Sequence, residues 1–199
     1  MVKRIILASN SPRRKELLAG LGVDFTVKVI GGIDESYPEG LQTEDIPTFI
    51  ARTKADAYLE TLADDELLIT ADTIVAVADK VLGKPADEQE ACAMLRQLSG
   101  RRHKVITGVC LTTKEKQTAF AVTTYVTFKE LTEEEIGYYV RRFQPLDKAG
   151  AYGIQEWIGY IGVTGLEGSY YNVMGLPVQR IYQELPNFGL KCFNLDYLD

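Results

Sequence analysis

The chain has 199 residues, of which 46% are hydrophobic and 25% are charged, and these values are typical of a globular protein that buries a sizeable core. Its 22 basic and 28 acidic side chains give a net charge of −6. A protein that follows a nucleic-acid backbone needs an excess of Lys and Arg, so this balance argues against a nucleic-acid-binding module. It does not exclude a small phosphate ligand, because a pocket can be basic while the surface is acidic.

The cysteines and the single histidine give no sign of a disulfide framework or a zinc site. Cys92, Cys110 and Cys192 are far apart and form no CxxC pair, and His103 has no metal-ligand partner nearby in sequence. This pattern is typical of reduced thiols in a reducing compartment. Neither a signal-peptide pattern nor an apolar run of membrane-spanning length is present. We therefore expect a cytoplasmic protein that does not engage a membrane.

Apolar periodicity and turn residues predict interleaved strands and helices. Strands are expected at 4–8, 25–30, 67–77, 104–112 and 118–128. Helices are expected from Ser11-Pro12 to Gly22, at 43–62, at 87–98 with Gly100 after its end, at 132–142 behind a Thr132–Glu135 capping box, and from about Pro177. The glycine-studded stretch 150–168 and the tail after Leu185 have no assignment. Because two hairpins interrupt the alternation, we expect one α/β domain over 1–199 with a mixed, twisted sheet flanked by helices.

The connection between the first strand and the first helix contains two arginines, Arg13 and Arg14. A helix N-terminus presents free backbone N–H groups and the positive end of the helix dipole, which favour anions and disfavour cations. An anion bound between the arginines and the turn would explain their position. The alternative is that both side chains are solvated at an ordinary helix start.

Asp72 interrupts an apolar run that otherwise predicts a central strand. A carboxylate is costly to bury unless it is paired or binds a metal, so we interpret Asp72 as functional rather than as the cap of a turn. If Asp79 and Lys80 form a tight turn, the returning segment brings Lys84 close to Asp72 and Thr73. A lysine there could hold phosphate oxygens or keep the acid ionised.

Other polar residues fit a polyphosphate site. Asp34 and Glu35 follow a glycine pair at the end of the second strand, where a metal-binding carboxylate could project. Lys54 lies inside the second helix, where a solvated position is the simpler interpretation. Gln155 follows Tyr152, which has glycines on both sides, and its amide both donates and accepts, as the imide edge of uracil or thymine requires. The alternative for Gln155 is an ordinary glycine-rich strand.

With these segments in view, the chain resembles the Maf family of nucleoside triphosphate pyrophosphatases, also described as septum-formation-inhibitor-like proteins. The resemblance covers roughly residues 5–185. It rests on six blocks in the family's order: Leu7 to Arg14, Ala71-Asp72-Thr73, Gly83-Lys84-Pro85, Leu98-Ser99-Gly100, Asp147 to Gln155, and Asn172 to Pro177.

The resemblance implies an α/β fold with two lobes around a nucleotide cleft, similar to that of inosine triphosphate pyrophosphatases. It also implies hydrolysis at the α-phosphorus with release of pyrophosphate, assisted by a divalent metal, Mg or Mn. The block that ends in Tyr-Gly-Ile-Gln is similar to the subfamily that prefers dTTP and UTP. A homodimer is a further family-based expectation.

Individual residues acquire expected roles from the same resemblance. Asp72 matches the family's catalytic acid, which accepts a proton from the attacking water. The positions that set substrate choice correspond to Arg13, Thr73 and Gln155. Residues that line the polyphosphate and metal site correspond to Ser9, Arg14, Glu35, Lys54 and Lys84, with Glu35 and Asp72 as the expected metal ligands.

Three alternatives stay open at this point. The same fold could serve a 7-methyl-GTP or broader-specificity pyrophosphatase. A nucleotide-binding regulator of cell division with little turnover would not need Asp72. A nucleotidyltransferase could use a similar set of acid, metal and arginine, but would require an acceptor.

Overall fold

One mixed sheet of seven strands organises the computed structural model, which describes residue 2, residues 4–78 and residues 80–190. The strands are β1 (Arg4–Leu7), β2 (Phe25–Val27), β3 (Glu66–Val77), β4 (Lys80–Leu82), β5 (Arg102–Thr112), β6 (Gln117–Phe128) and β7 (Val163–Glu167). The helices are α1 (Pro12–Ala19), α2 (Ile46–Asp56), α3 (Glu88–Leu98), α4 (Glu133–Phe143), α5 (Trp157–Gly162), α6 (Tyr170–Val173) and α7 (Val178–Glu184).

The strand order is β2-β1-β3-β5-β6-β7, with β4 paired to β3. β1 runs parallel to both β2 and β3, whereas β4, β5, β6 and β7 join by antiparallel pairing. The mixed α/β sheet flanked by helices is therefore confirmed. No helix in the described part of the chain has the length and apolar character needed to cross a bilayer.

The central strand β3 has an interrupted edge. β1 pairs with its first part, up to Leu7 opposite Ile69, and β4 pairs with its last part, from Val75 opposite Leu82. β5 occupies the opposite edge along nearly the whole strand. Within the described ranges, the middle of β3, around Asp72, thus has no strand partner on the side of β1 and β4. Ligands of α/β proteins commonly bind beyond the carboxyl ends of parallel strands, and this gap lies just past the end of β1.

Helices cover both faces of β3 in different ways. On one face, α2 packs as a single layer, with Ala51 against Leu68. On the other face two separate clusters form: α1 and α7 pack around Ile69 and Ala71, and α3 and α4 pack around Val75 and Val77. Thr73, which is half-buried, lies between the two clusters on this face, whereas Asp72 lies on the face that α2 covers. This division agrees with the expected two lobes around a cleft.

The predicted helix starts are largely confirmed by their caps. Ser11 accepts a hydrogen bond from the backbone of Arg14 at the start of α1, and Thr132 and Glu135 form the capping box of α4. Gly100 has φ = +67° just after α3, as a C′ glycine should.

Other boundaries differ from the predictions. α2 is shorter than 43–62 because Pro47 stands in its first turn and the chain tightens into a 3-10 turn at Leu59–Thr61. β2 ends at Val27 rather than residue 30, since β1, the strand with which it pairs, ends at Leu7. The unassigned stretch 150–168 forms α5 and β7, and the tail begins with a 3-10 turn at Leu185–Phe188. Asp79 of the predicted turn, Cys192 and the rest of 191–199 lie outside the described residues.

Candidate active site

A cleft at the interrupted edge of β3 brings the predicted site residues together. It consists of two adjoining cavities, and all nine predicted residues line one or both of them. Asp72, Thr73 and Gln155 line the first cavity, whereas Ser9 and Glu35 line the second. The residues shared by both cavities are Ser11, Arg13, Arg14, Lys54, Lys84 and Asp147.

Arg14 fills the gap that the strands leave open. Its Nη1 donates to the carbonyl oxygen of Ala71 at 2.9 Å, Nη2 donates to Thr73 Oγ1 at 3.1 Å, and Nε donates to the carbonyl of Gly175 at 2.8 Å. Burial lowers the pKa of this guanidinium from its usual value, and the charge of Asp72 counteracts part of that effect. Arginine carries five N–H donors, so two stay available for a ligand. Arg14 therefore links β3 to the loop after α6 while still lining the cleft.

Lys54 bridges two carboxylates at the centre of the cleft. Its Nζ lies 3.0 Å from Asp72 Oδ1 and 3.0 Å from Glu35 Oε2. The side chains of Lys54 and Asp72 are only 14% and 15% exposed, while Glu35 is half exposed. The simpler interpretation of Lys54 as a solvated residue is wrong, because α2 packs flat on the sheet and turns this side chain toward β3. The contact also explains how a carboxylate is tolerated within β3.

The donor set at this position fits a magnesium-type ion. Mg²⁺ is usually held by one or two carboxylates together with phosphate oxygens of the substrate, rather than by a cage of protein ligands. Glu35 and Asp72 supply two carboxylates, each with an oxygen 3.0 Å from Lys54 Nζ. Among residues 2, 4–78 and 80–190, no three His, Cys, Asp or Glu side chains are placed to hold a metal by themselves. The residues thus suit a metal that is bound together with a polyphosphate.

The amino-terminal end of α1 faces the second cavity. The Ser9 hydroxyl is buried and accepts a hydrogen bond from the backbone N–H of Ser11 at 3.2 Å. Arg13 extends across the cleft, and its Nη1 is 3.0 Å from Asp147 Oδ2. Lys84, just beyond β4, lines both cavities. These groups add polar and basic side chains to the cavities that Lys54 also lines.

Gln155 lines the first cavity, as do Tyr152 and Lys148. Its Oε1 is buried and has no hydrogen-bond partner in the described part of the protein. Buried polar atoms are nearly always paired, so an unpaired acceptor on a cavity wall is suited to a donor on a ligand.

Two charged residues of the cleft, Asp147 and Lys148, were not singled out from the sequence. Lys148 Nζ lies 2.7 Å from Asp147 Oδ1 and 3.1 Å from Glu156 Oε1, and the lysine is buried. Partial burial raises the pKa of Asp147, but hydrogen bonds from Lys148 and Arg13 outweigh it and hold that pKa below its ordinary value. The sequence feature that could have identified them is their position: this charged pair comes directly before the segment in which glycines flank Tyr152.

The charge of the cleft is opposite to that of the whole chain. Five basic side chains and three acidic ones line the joined cavities, whereas the whole chain carries −6. A locally positive cleft in an acidic protein favours a small polyanion over a nucleic-acid backbone.

The family model described as Maf-like protein matches residues 4–188. The chain belongs to the Maf-like family. This Maf-like chain is 61% identical over 185 residues to a protein of Parabacteroides distasonis named dTTP/UTP pyrophosphatase, covering 93% of this chain and 96% of the relative. A Bacteroides fragilis protein of the same name is 62% identical over 182 residues, covering 92% and 94% of the two chains.

The fold of this Maf-like chain is also found among solved structures. The Ham1 protein of Staphylococcus aureus superposes with a TM-score of 0.52 at 18% sequence identity, covering 94% of this chain and 100% of that chain. At this identity the similarity concerns the fold alone.

Proposed function

We propose that this chain hydrolyses dTTP and UTP to the nucleoside monophosphate and pyrophosphate. The observation that carries the proposal is the placement of Asp72: an acid in the middle of a central strand, paired in a basic cleft with Lys54, which also contacts Glu35. Relatives that match over nearly the whole chain are named dTTP/UTP pyrophosphatase, which supports the same activity here.

The cleft has a phosphate end and a base end. Arg13, Lys84 and the two free N–H groups of Arg14 neutralise the triphosphate near the start of α1. The base enters the first cavity, where Gln155 Oε1 accepts the imide N3–H of uracil or thymine and the amide NH₂ donates to a neighbouring carbonyl oxygen.

Asp72 acts as the general base. Oδ1 accepts a hydrogen bond from Lys54 Nζ, so Oδ2 is the oxygen that we assign to the proton transfer. The carboxylate takes a proton as the water oxygen bonds to the α-phosphorus, and the bond from that phosphorus to the bridging oxygen breaks, so the electron pair leaves with pyrophosphate. Positioning and charge neutralisation supply most of the rate in reactions of this kind.

A divalent metal, Mg or Mn, belongs to the same proposal, with Glu35 and Asp72 as its protein ligands. When bound, it neutralises charge on the phosphate oxygens. Lys54 contacts both carboxylates, with its Nζ 3.0 Å from Glu35 Oε2 and 3.0 Å from Asp72 Oδ1.

The test is pyrophosphate release from dTTP, UTP, CTP, ATP and 7-methyl-GTP with Mg or Mn, with Asp72→Asn and Asp64→Asn run in parallel. Wild type should cleave dTTP and UTP fastest, and Asp72→Asn should lose a factor of about 10²–10⁴ because general-base catalysis contributes that much. Asp64 is exposed and pairs with Lys114 far from the cleft, so its variant should retain wild-type turnover. Fast turnover by Asp72→Asn would refute the general-base role, and binding without any turnover by wild type would favour a regulator.

A further inference from the structure

A buried hydroxyl ties down both ends of the segment that carries Gln155. Tyr139 of α4 is fully buried, and its Oη accepts a hydrogen bond from the backbone N–H of Gly153 at 3.0 Å. The same hydroxyl donates a short hydrogen bond to Glu156 Oε2. Burial and the hydrogen bond to Glu156 raise the pKa of Tyr139 far above its ordinary range, so the hydroxyl stays protonated. Gln155 therefore lies between two residues that are anchored to one point.

The network continues from Glu156 to the phosphate end of the cleft. Glu156 Oε1 is 3.1 Å from Lys148 Nζ, and Lys148 Nζ is 2.7 Å from Asp147 Oδ1. Asp147 Oδ2 in turn lies 3.0 Å from Arg13 Nη1. An unbroken series of hydrogen bonds and ion pairs thus joins the base end of the cleft to the arginine at its phosphate end.

Packing at Gly153 shows how closely this network encloses the segment. A Cβ atom at Gly153 would lie 2.9 Å from Glu156 Cδ and 3.1 Å from Lys148 Cε. The Glu156–Lys148 pair therefore lies directly on the backbone of the segment. The Glu156–Lys148 ion pair therefore holds the main chain in position, and its two charges also compensate each other.

Discrimination between uracil and cytosine depends on how firmly an amide is held. Uracil presents a donor at N3 and an acceptor at the 4-position, whereas cytosine presents the reverse. A primary amide that rotates by 180° exchanges its donor and acceptor, so a loosely held glutamine satisfies either base. Oε1 of Gln155 has no partner among the described residues, so the position of its backbone and the walls of the cavity must define the amide's orientation.

We propose that Tyr139, Glu156 and Lys148 are positioning residues that set the preference for uracil and thymine over cytosine, by fixing Gln155 relative to Arg13. This inference rests on the proposed function. None of the three residues needs to touch the reacting phosphorus. Their contribution is to make one orientation of the Gln155 amide much lower in free energy than the orientation rotated by 180°.

The decisive variant is Tyr139→Phe, because it removes one hydroxyl and keeps the buried ring. Tyr58→Phe is a matched control: its hydroxyl also accepts from a backbone N–H, that of Ile30, and donates to the carbonyl of Lys28. We would measure kcat and KM for UTP and CTP, and melting temperatures, for wild type and both variants. We expect the UTP/CTP ratio of kcat/KM to fall about tenfold or more in Tyr139→Phe and to stay at the wild-type value in Tyr58→Phe, with similar losses of melting temperature.

A second pair of variants separates positioning from general destabilisation. Glu156→Gln keeps an acceptor for Tyr139 but loses the charge opposite Lys148, whereas Glu156→Ala loses both. The UTP/CTP ratio should fall in the order wild type, Glu156→Gln, Glu156→Ala. A folded Tyr139→Phe with the wild-type ratio would overturn the inference.

Failure of the underlying function is distinguishable from failure of this inference. If wild type does not hydrolyse UTP, the proposed function fails. The dissociation constants of UMP and CMP then still test the positioning role, since loss of Tyr139 should narrow the difference between them. If Tyr58→Phe reduced the difference between the UMP and CMP dissociation constants by the same factor as Tyr139→Phe, the inference would also be overturned.

Discussion

The carboxylate of Asp72 interrupts a strand in which nine of the other residues are buried. Those nine are Thr70, Ala71 and mostly aliphatic residues on either side of them. An isolated charge at such a place would be neutralised by a pKa shift or would destabilise the fold by several kcal/mol. The ammonium of Lys54 removes most of that penalty and leaves the acid facing the cleft. The residue of this strand that is most costly to bury is thus the one to which we assign the general-base role.

Substitution of Gln155 tests base recognition at a single residue. Gln155→Glu removes the amide donor and introduces a charge that repels the uracil carbonyl, so kcat/KM for UTP should fall by about 10² or more, since a site built around hydrogen bonds rejects a mismatched partner strongly. The melting temperature should change far less. Gln179→Glu on the exposed face of α7 makes the same change in charge and should behave as wild type. Unchanged substrate preference in Gln155→Glu would mean that the base is recognised elsewhere.

Substitution of Glu35 tests the metal site. Glu35→Gln keeps the shape of the side chain but removes its charge, so the Mg concentration for half-maximal activity should rise about tenfold, while saturating Mg restores turnover. Glu39→Gln alters an exposed acid of the same loop and should not change the Mg concentration for half-maximal activity. A chelator should abolish wild-type turnover reversibly. Activity that survives chelation would exclude the metal from the reaction.

At the level of elements, the contact between α2 and β5 determines where Lys54 lies. A Cβ on Gly108 would be 2.2 Å from the carbonyl carbon of Pro47 and 2.3 Å from the backbone nitrogen of Thr48. The helix backbone therefore rests directly on the strand, which is possible only where the strand has no side chain. This close approach brings the end of α2 to the Asp72 position of β3.

Gly108→Ala should force α2 away from the sheet. We expect a loss of about 3 kcal/mol or more in the free energy of unfolding, because a backbone in contact cannot adjust as a side chain can. Activity at low temperature should fall as well, since Lys54 moves with the helix. Gly165→Ala in β7 is the control: its Cβ would meet Thr127 at an ordinary 3.5 Å. Equal urea midpoints for the two variants would contradict this account of the packing.

At the scale of the whole molecule, the single histidine couples folding to pH. His103 is 2% exposed, and its Nε2 lies 2.8 Å from the Tyr152 hydroxyl inside the cluster formed by α3 and α4. Burial lowers the pKa of His103 to about 4. The unfolded chain takes up a proton near the ordinary pKa of 6.5, whereas the folded protein does so only near 4. Stability is therefore complete above about pH 6.5 and declines as the pH falls toward 4.

The expected loss can be measured by urea unfolding. Between about pH 7.5 and pH 5 the free energy of unfolding should fall by about 2 kcal/mol on account of His103. His103→Gln cannot take up that proton, so its free energy of unfolding should vary much less over this range. Equal pH dependence in both proteins would assign the acid sensitivity to the carboxylates instead.

The sequence predicted the order of the helices and strands as far as α4, and it named nine residues that the fold brings to one cleft. It left α5, β7 and α6 unassigned and did not single out Asp147 and Lys148. Caps such as Ser11 and Thr132 act within a few residues, so local sequence predicted their helix ends correctly. Asp72 was recognisable because a carboxylate conflicts with the apolar pattern around it. The homodimer and the cytoplasmic location stay predictions.

Only the tertiary structure decided how those residues cooperate. The helical pattern around Lys54 favoured a solvated side chain, whereas the structure pairs Lys54 with Asp72. The reason is a distant residue: Gly108 allows α2 to lie flat on the sheet, and no sequence feature near Lys54 indicates this. The Tyr139 hydroxyl is likewise separated from Glu156 by 17 positions, and its role depends on how α4 packs. Periodicity and capping are short-range effects that local sequence encodes. The cleft arises from long-range pairing, since β1 and β4 each cover only part of one edge of β3, and that geometry exists only after folding.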